Sequence, residues 1–274
     1  MKPKSLLQSA AIALSIVTLS GIPASPLNSV ASADITLDRH LDQDEKAIKV
    51  IEDSIEALGG KEAISKNTTV TQSGTMSIPS MGLEGTIEMY IESPKRLRLI
   101  IDIPMMGKTV QGLNDGVVWS TDAMSGPRIF SAEESEDLIK QADIGYLLRF
   151  RENYTTIEYV GEVEFDGQAA HKLRLVDQKG KESIEYYSVE KAFQIGSETT
   201  ADTAMGKINA ITKLQDYKEL GGVMQVTRIV QAIGPTEVVI SFDNADYSKI
   251  DDSVFELPAA IKALMEAKKE DAAP

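Results

Sequence analysis

Apolar and polar residues alternate with period two through the stretch from Val70 to Pro127. Val70, Met76 and Ile78 share one parity, and Thr71, Ser73, Thr75 and Ser77 hold the other. After Pro79-Ser80-Met81-Gly82, the residues Leu83, Ile87, Met89 and Ile91 alternate with Glu84, Thr86, Glu88 and Glu92. Ser93-Pro94-Lys95 reverses the chain into Leu97, Leu99, Ile101 and Ile103, and Pro104-Met105-Met106-Gly107 turns it again. Asn114-Asp115-Gly116 turns it once more before Val117-Val118-Trp119. Alternation of this length predicts half-buried antiparallel strands, here a five-strand meander with one apolar and one wet face.

Two helical patterns flank the meander. Ile48, Ile51, Ile55 and Leu58 form one stripe between Asp42, which reads as the N-cap, and Gly59-Gly60, which reads as the stop. Lys61 to Ser65 adds a further short turn of helix. Ser131-Ala132-Glu133-Glu134 has the form of a capping box and opens a helical region reaching Phe150, with a break near Gly145. These helices either rest on the open sheet to close it or form a movable lid.

A second run of strands follows. Ile157, Tyr159, Val163 and Phe165 lead to the hairpin signal Asp166-Gly167, and Ala169, His171, Leu173 and Leu175 share one parity on the return. Strands are predicted at 184–189, 193–200, 207–217, 223–231 and 236–245, and a helix from Pro258 through Ala267. With no linker or composition break, residues 34–258 read as one domain, followed at 259–274 by a C-terminal helix and tail. The expected class is α+β: about ten strands in a strongly curved antiparallel sheet forming an incomplete, half-open β-barrel, with helices over its open side.

Residues 1–33 stand apart from this pattern. Lys2 and Lys4, the apolar run Leu6 to Leu19 and the small residues Ala31-Ser32-Ala33 form a secretory signal, with cleavage expected after Ala33. The mature chain would hold 274 − 33 = 241 residues, with no later run able to span a bilayer. It has no cysteine, which excludes disulfides, thiolate metal sites and a cysteine nucleophile. Removing the signal takes two lysines from the 28 basic residues and none of the 42 acidic ones, so the mature charge is 26 − 42 = −16. That balance argues against nucleic acid and anionic bilayers as partners.

No motif for nucleotide binding, serine hydrolysis or zinc catalysis is present. His40 lies near the mature N-terminus. His171 has the parity of Leu173 and Leu175 and reads as a hydrogen-bonded residue at the barrel rim. Asp251-Asp252 reads as turn-forming. Neither a catalytic residue, a metal ligand nor a cofactor is called for. What the chain does offer is methionine: six of its ten fall within the meander region, several of them in turns. Methionine is flexible and polarisable, and lines surfaces that accept varied apolar ligands. Counting strand directions puts the turns carrying Met81, Met105, Met106 and Met124 at one edge of the sheet. The expected ligand-contacting residues are Met81, Met89, Leu99, Met105, Met106, Trp119 and Met124.

Three segments carry a family resemblance: Gly85-Thr86-Ile87-Glu88-Met89-Tyr90, then Ser93-Pro94-Lys95-Arg96-Leu97-Arg98, then Asp115-Gly116-Val117-Val118-Trp119-Ser120-Thr121-Asp122. Their order and spacing resemble the LolA-like outer-membrane lipoprotein-sorting proteins, the larger bacterial members in particular. Ala57-Leu58-Gly59-Gly60-Lys61-Glu62-Ala63, Asp216-Tyr217-Lys218 and Phe255-Glu256-Leu257-Pro258 extend the similarity over nearly all of the mature chain. The resemblance implies a half-open barrel with a helical lid over an apolar cavity. It further implies a periplasmic, non-enzymatic carrier or sensor whose partners are lipoprotein acyl chains or another lipid. An envelope protein using the same fold to bind an envelope or outer-membrane protein is the alternative. The pattern departs at Ser93, where chaperone members can carry a functional arginine directly before the turn proline.

Overall fold

A computed structural model describes residues 42–104, 106–203 and 206–271. The signal segment, the cleavage position after Ala33, His40 and Met105 lie outside the described residues. The chain begins with a two-residue strand, β1 (Asp42–Gln43), and two helices, α1 (Glu45–Ala57) and α2 (Gly60–Lys66). The first strand run is β2 (Thr69–Ile78), β3 (Leu83–Glu92), β4 (Arg96–Ile103), β5 (Gly107–Asn114), β6 (Val117–Asp122) and β7 (Gly126–Ile129). Helix α3 (Ala132–Gln141), a 3₁₀ turn (Tyr146–Arg149) and the single turn α4 (Phe150–Asn153) connect it to the second run. That run is β8 (Tyr154–Phe165), β9 (Gln168–Asp177), β10 (Glu182–Ser188), β11 (Gln194–Thr203), β12 (Gly206–Leu220), β13 (Val223–Ile233) and β14 (Thr236–Asp246). A 3₁₀ turn (Asp252–Phe255) and α5 (Ala259–Asp271) follow.

All fourteen strands described join one curved sheet in the order β1-β8-β9-β10-β11-β12-β13-β14-β2-β3-β4-β5-β6-β7, which does not close into a barrel. Each described neighbour pair is antiparallel except β1 with β8. The two runs are joined side by side through β14 and β2, where Ile240 faces Met76. Because β7 and β8 stand near opposite ends of the sheet, the segment between them must cross from one flank to the other.

Alternation sorts side chains onto two faces, as period two requires. On the inner face of the first run, Leu97, Leu99, Ile101 and Ile103 of β4 pack with Met76, Ile78, Ile87 and Val238, and Leu138 and Ala142 of the crossing segment cover them. On the second run, Ile157, Leu173, Leu175 and Tyr187 pack against Ala47, Ile48, Ile51 and Ile55 of α1. Burying each such isoleucine contributes about 1.5–3 kcal/mol, so these two clusters hold the helices to the sheet. Between them the inner face turns polar: Glu185, Ser197, Thr212, Gln231 and Val238 are successive cross-strand partners. This polar row runs beside an apolar one, Leu214, Ile229 and Ile240, that adjoins the first cluster.

The outer face carries its own small core. Val110, Trp119 and Ile261 are buried together, so α5 is packed onto the back of β5 and β6. A Cβ on Gly112 would lie 2.4 Å from the indole of Trp119, which is why the position opposite it has no side chain.

Several expectations are corrected in detail. The N-cap of α1 is Asp44, whose side chain accepts from the Lys46 amide, because Asp42 is drawn into β1 by pairing with Thr156. The sheet has more than the expected ten strands: β7 forms where only a turn was read, and β1 is too short for periodicity to register. The capping box at Ser131 is present, with the Glu134 side chain accepting from the Ser131 amide at 2.8 Å. Gly145 does mark the break in the crossing segment, standing at the start of the 3₁₀ turn.

Candidate ligand cavity

A cavity of about 280 Å³ lies where α1, the crossing segment and strands β8 to β11 meet. Its apolar wall is Ile51 of α1, Ile144, Leu147 and Phe150 of the crossing segment, and Leu175 of β9. Its polar residues are Asp143, Tyr146, Tyr154, Glu185, Tyr187 and Gln194. The volume sits at the small end of ligand sites, which run from about 300 to 1,000 Å³.

Strand β10 sets the chemistry of this wall. Glu185 and Tyr187 share the inner parity, while Ile184 and Tyr186 pack on the opposite face with Ala170 and Ile195. The register slips between Tyr186 and Tyr187, which brings Gln194 of β11 beside Tyr187. The Tyr187 hydroxyl donates to Glu185 Oε2 at 2.6 Å. Glu185 is half-buried and lines the cavity. Burial pushes the Glu185 carboxyl above the usual carboxylate range, and the Tyr187 hydrogen bond only partly offsets this. Burial also raises the phenols of Tyr187, Tyr154 and Tyr146, and the negative charge of Glu185 adds to the effect on all three.

The crossing segment is held down at both ends and in the middle. Ser93 in the β3–β4 turn accepts the Ile144 amide through Oγ at 3.0 Å. Asn153 donates to the Tyr146 carbonyl at 2.8 Å, Arg149 is paired with Asp143, and Arg151 reaches Glu52 of α1 at 3.0 Å. On α3, Lys140 pairs with Asp177 at 3.0 Å, Asp137 with Lys181 at 3.3 Å, and Glu136 with Lys179. Burial by itself would raise the Asp177 carboxyl, but hydrogen bonds from Lys140 and from the Lys181 and Lys179 amides outweigh it and hold it below its ordinary value.

None of the expected ligand-contacting residues that are described lines this cavity. Met89 and Leu99 lie on the inner face of the first run, Leu99 fully buried. Met81 and Met106 rest half-buried against the same cluster, and Met124 is 63 % exposed. The turns do share an edge, since a Cβ on Gly107 would stand 3.0 Å from that of Ala123. Trp119 is on the outer face beneath α5, on the far side of the sheet from the cavity. Sequence reasoning passed over Glu185, Tyr187, Tyr154 and Tyr146. The signal was available for β10, where parity places Glu185 with Tyr187. His171 lies beside them and is hydrogen-bonded to the Tyr159 hydroxyl at 3.1 Å.

The sheet is broad and unclosed, with helices packed on its inner face. No family profile and no curated protein sequence matches the chain. Solved structures do. A DUF1329 family protein from Desulfovibrio piger shares 15 % identity with a TM-score of 0.56, over 78 % of this chain and 98 % of its own. A LolA superfamily protein from Nitrosomonas europaea shares 13 % with a TM-score of 0.52, over 77 % and 97 %. A putative outer membrane lipoprotein-sorting protein domain from Vibrio parahaemolyticus shares 10 % with a TM-score of 0.53, over 77 % and 97 %. The likeness read from the Pro-turn and tryptophan segments is matched by a shared fold. Among the described residues, no helix is long and apolar enough to cross a membrane, and no cluster of His, Asp and Glu has the form of a metal site.

Proposed function

We propose that this protein is a non-enzymatic carrier or sensor that binds an acyl chain of a lipid or lipoprotein. The chain would lie in the cavity between α1, the crossing segment and β8 to β11. The sheet serves as a half-open barrel, and the segment from α3 to α4 serves as its cover. Exported by its N-terminal signal, the protein works in the periplasm.

The observation that carries this reading is an apolar wall formed by Ile51 and Leu175 together with Ile144, Leu147 and Phe150 of a crossing segment tethered by hydrogen bonds and ion pairs. Such a wall contributes affinity by removing apolar surface from water, and a cover held by polar contacts can open without unmaking the core. The sorting-protein fold of its structural neighbours agrees with it. Protein purified from the periplasm, examined by native mass spectrometry and by organic extraction, should carry lipid at about one per chain. Leu147→Arg, placing a charge in the wall, should lose that lipid while keeping the fold by circular dichroism. A lipid-free spectrum alongside a tight protein partner would instead identify an envelope-protein binder.

A further inference from the structure

The cavity is unusual for a purely apolar ligand because it encloses a carboxyl group. Glu185 gives one oxygen to the Tyr187 hydroxyl and has no cation beside it among the described residues. The cavity's other acid, Asp143, is paired with Arg149. Lys140, close to the Tyr146 ring, is paired with Asp177. No lysine or arginine is among the lining residues, and the titratable groups lining the cavity with Glu185 and Asp143 are the phenols of Tyr146, Tyr154 and Tyr187; His171, opposite Tyr187 on β9, is outside the lining and is hydrogen-bonded to Tyr159. Further along the same inner row, the Gln231 side-chain oxygen is also buried without a partner.

Enclosing a carboxylate with no counter-charge is costly, and a ligand that supplies the charge recovers that cost. Apolar residues line the same cavity, so one molecule could satisfy both. The small volume leaves room for one chain. Resting on the acyl-binding reading above, we propose that the cavity takes a single-chain amphiphile with a protonated amine head, which the Glu185 carboxylate receives while Ile51, Leu147, Phe150 and Leu175 hold the chain. Tyr187 fixes the orientation of the carboxylate through its hydrogen bond, leaving the other oxygen for the ammonium. Carboxylate and phosphate heads are disfavoured by Glu185 and by the chain's net charge of −14.

The test is a head-group series on the mature protein: dodecylamine, dodecanol and dodecanoate, below their micelle concentrations and in 150 mM salt, competing with a fluorescent apolar probe. Dodecylamine should displace the probe at one per chain and at least tenfold more tightly than dodecanoate, with dodecanol between them. Its affinity should rise with pH as Glu185 ionises, while that of dodecanol should not. Glu185→Gln should remove the amine preference and still bind dodecanol. Equal affinities for all three heads, or an amine preference untouched by Glu185→Gln, would overturn the head assignment while leaving the acyl carrier standing. Amine binding at several sites per chain that leaves the probe in place would overturn it as surface attraction. If none of the three displaces the probe, the acyl reading falls with it. Should Glu185→Gln fail to fold, the wild-type head series and its pH dependence decide the matter alone.

Discussion

At the scale of single residues, Glu185 should reveal itself through pH. Its folded-state value is raised by burial, so the unfolded chain ionises first as pH rises. The group therefore costs no stability below its unfolded value near pH 4.3, and destabilises progressively as pH rises through the folded value. Glu185→Gln removes that slope, since an amide can still accept from Tyr187. The ligand-free variant should melt above wild type at pH 7.5 and level with it at pH 3.5. An equal difference at both values would mean that Glu185 is already charged without cost. Trp119 makes the opposite point. It is fully buried beneath α5, so Trp119→Ala should cost about 3–5 kcal/mol with no loss of probe binding in the fraction that remains folded. Gly112→Val should be destabilising by roughly 1–3 kcal/mol, because its side chain must enter the space of the indole. Loss of binding in a folded Trp119→Ala protein would place the ligand on the outer face.

At the scale of elements, caps and turns were the most legible features. Ser131 and Glu134 signal a helix start through local chemistry alone, and the structure builds the reciprocal box they predict. Ser131→Ala should weaken α3 by about 1 kcal/mol, measured as faster amide exchange in its first turn and no change in β4. The parity of β2 to β4 also read correctly, because a strand with one covered face must alternate; Trp119 of β6, expected at the ligand, is on the outer face instead. Sheet order was not legible. Nothing local in Thr236–Asp246 says that it pairs with Thr69–Ile78, more than 150 residues earlier in the chain. The cavity was missed for the same reason. Its walls come from α1, the crossing segment and four strands; the crossing segment contributes five residues and each other element one or two, all ordinary in their own element. The loop methionines share an edge, as strand counting predicts, yet the apolar wall of the cavity is built from isoleucine, leucine and phenylalanine instead. Ser93 is the instructive case. It departs from the arginine found at that position in chaperone members, but it still reaches the cover, through the Ile144 amide rather than by a long side chain. Ser93→Ala should leave that part-buried amide without its partner and raise exchange at 143–147 several-fold, at a cost of about 1 kcal/mol.

At the scale of the whole molecule, the two apolar clusters and the segment crossing between them define what can move independently. The sheet is continuous and its clusters are buried and apolar, whereas α3 joins the β9–β10 turn through Lys140–Asp177, Lys181–Asp137 and Lys179–Glu136. The last two are exposed enough to contribute less than about 1 kcal/mol each and to be screened by salt. Lys140–Asp177 differs, because the Asp177 side chain is only 9 % exposed and that of Lys140 is 33 % exposed. Asp177 also accepts from the Lys179 and Lys181 amides at 2.9 and 3.0 Å, so one carboxylate organises its own turn and latches the cover. Being depressed, its contribution is present above the unfolded value near pH 3.9 and is lost as pH falls through the folded value. Lys140→Met separates the two roles: it removes the latch, keeps the stem that covers apolar surface, and leaves both backbone donors on Asp177. Amides across 133–150 should then exchange about tenfold faster, equivalent to roughly 1.4 kcal/mol, with protection of β9, β10 and the clustered strands unchanged. Acidification below pH 3.5 should produce the same local loss in wild type before the sheet melts, and little further change in the variant. A uniform rise in exchange over the whole sheet would show that cover and sheet form one cooperative unit. No rise at all would show that Leu138 and Ala142, not the ion pair, hold the segment in place.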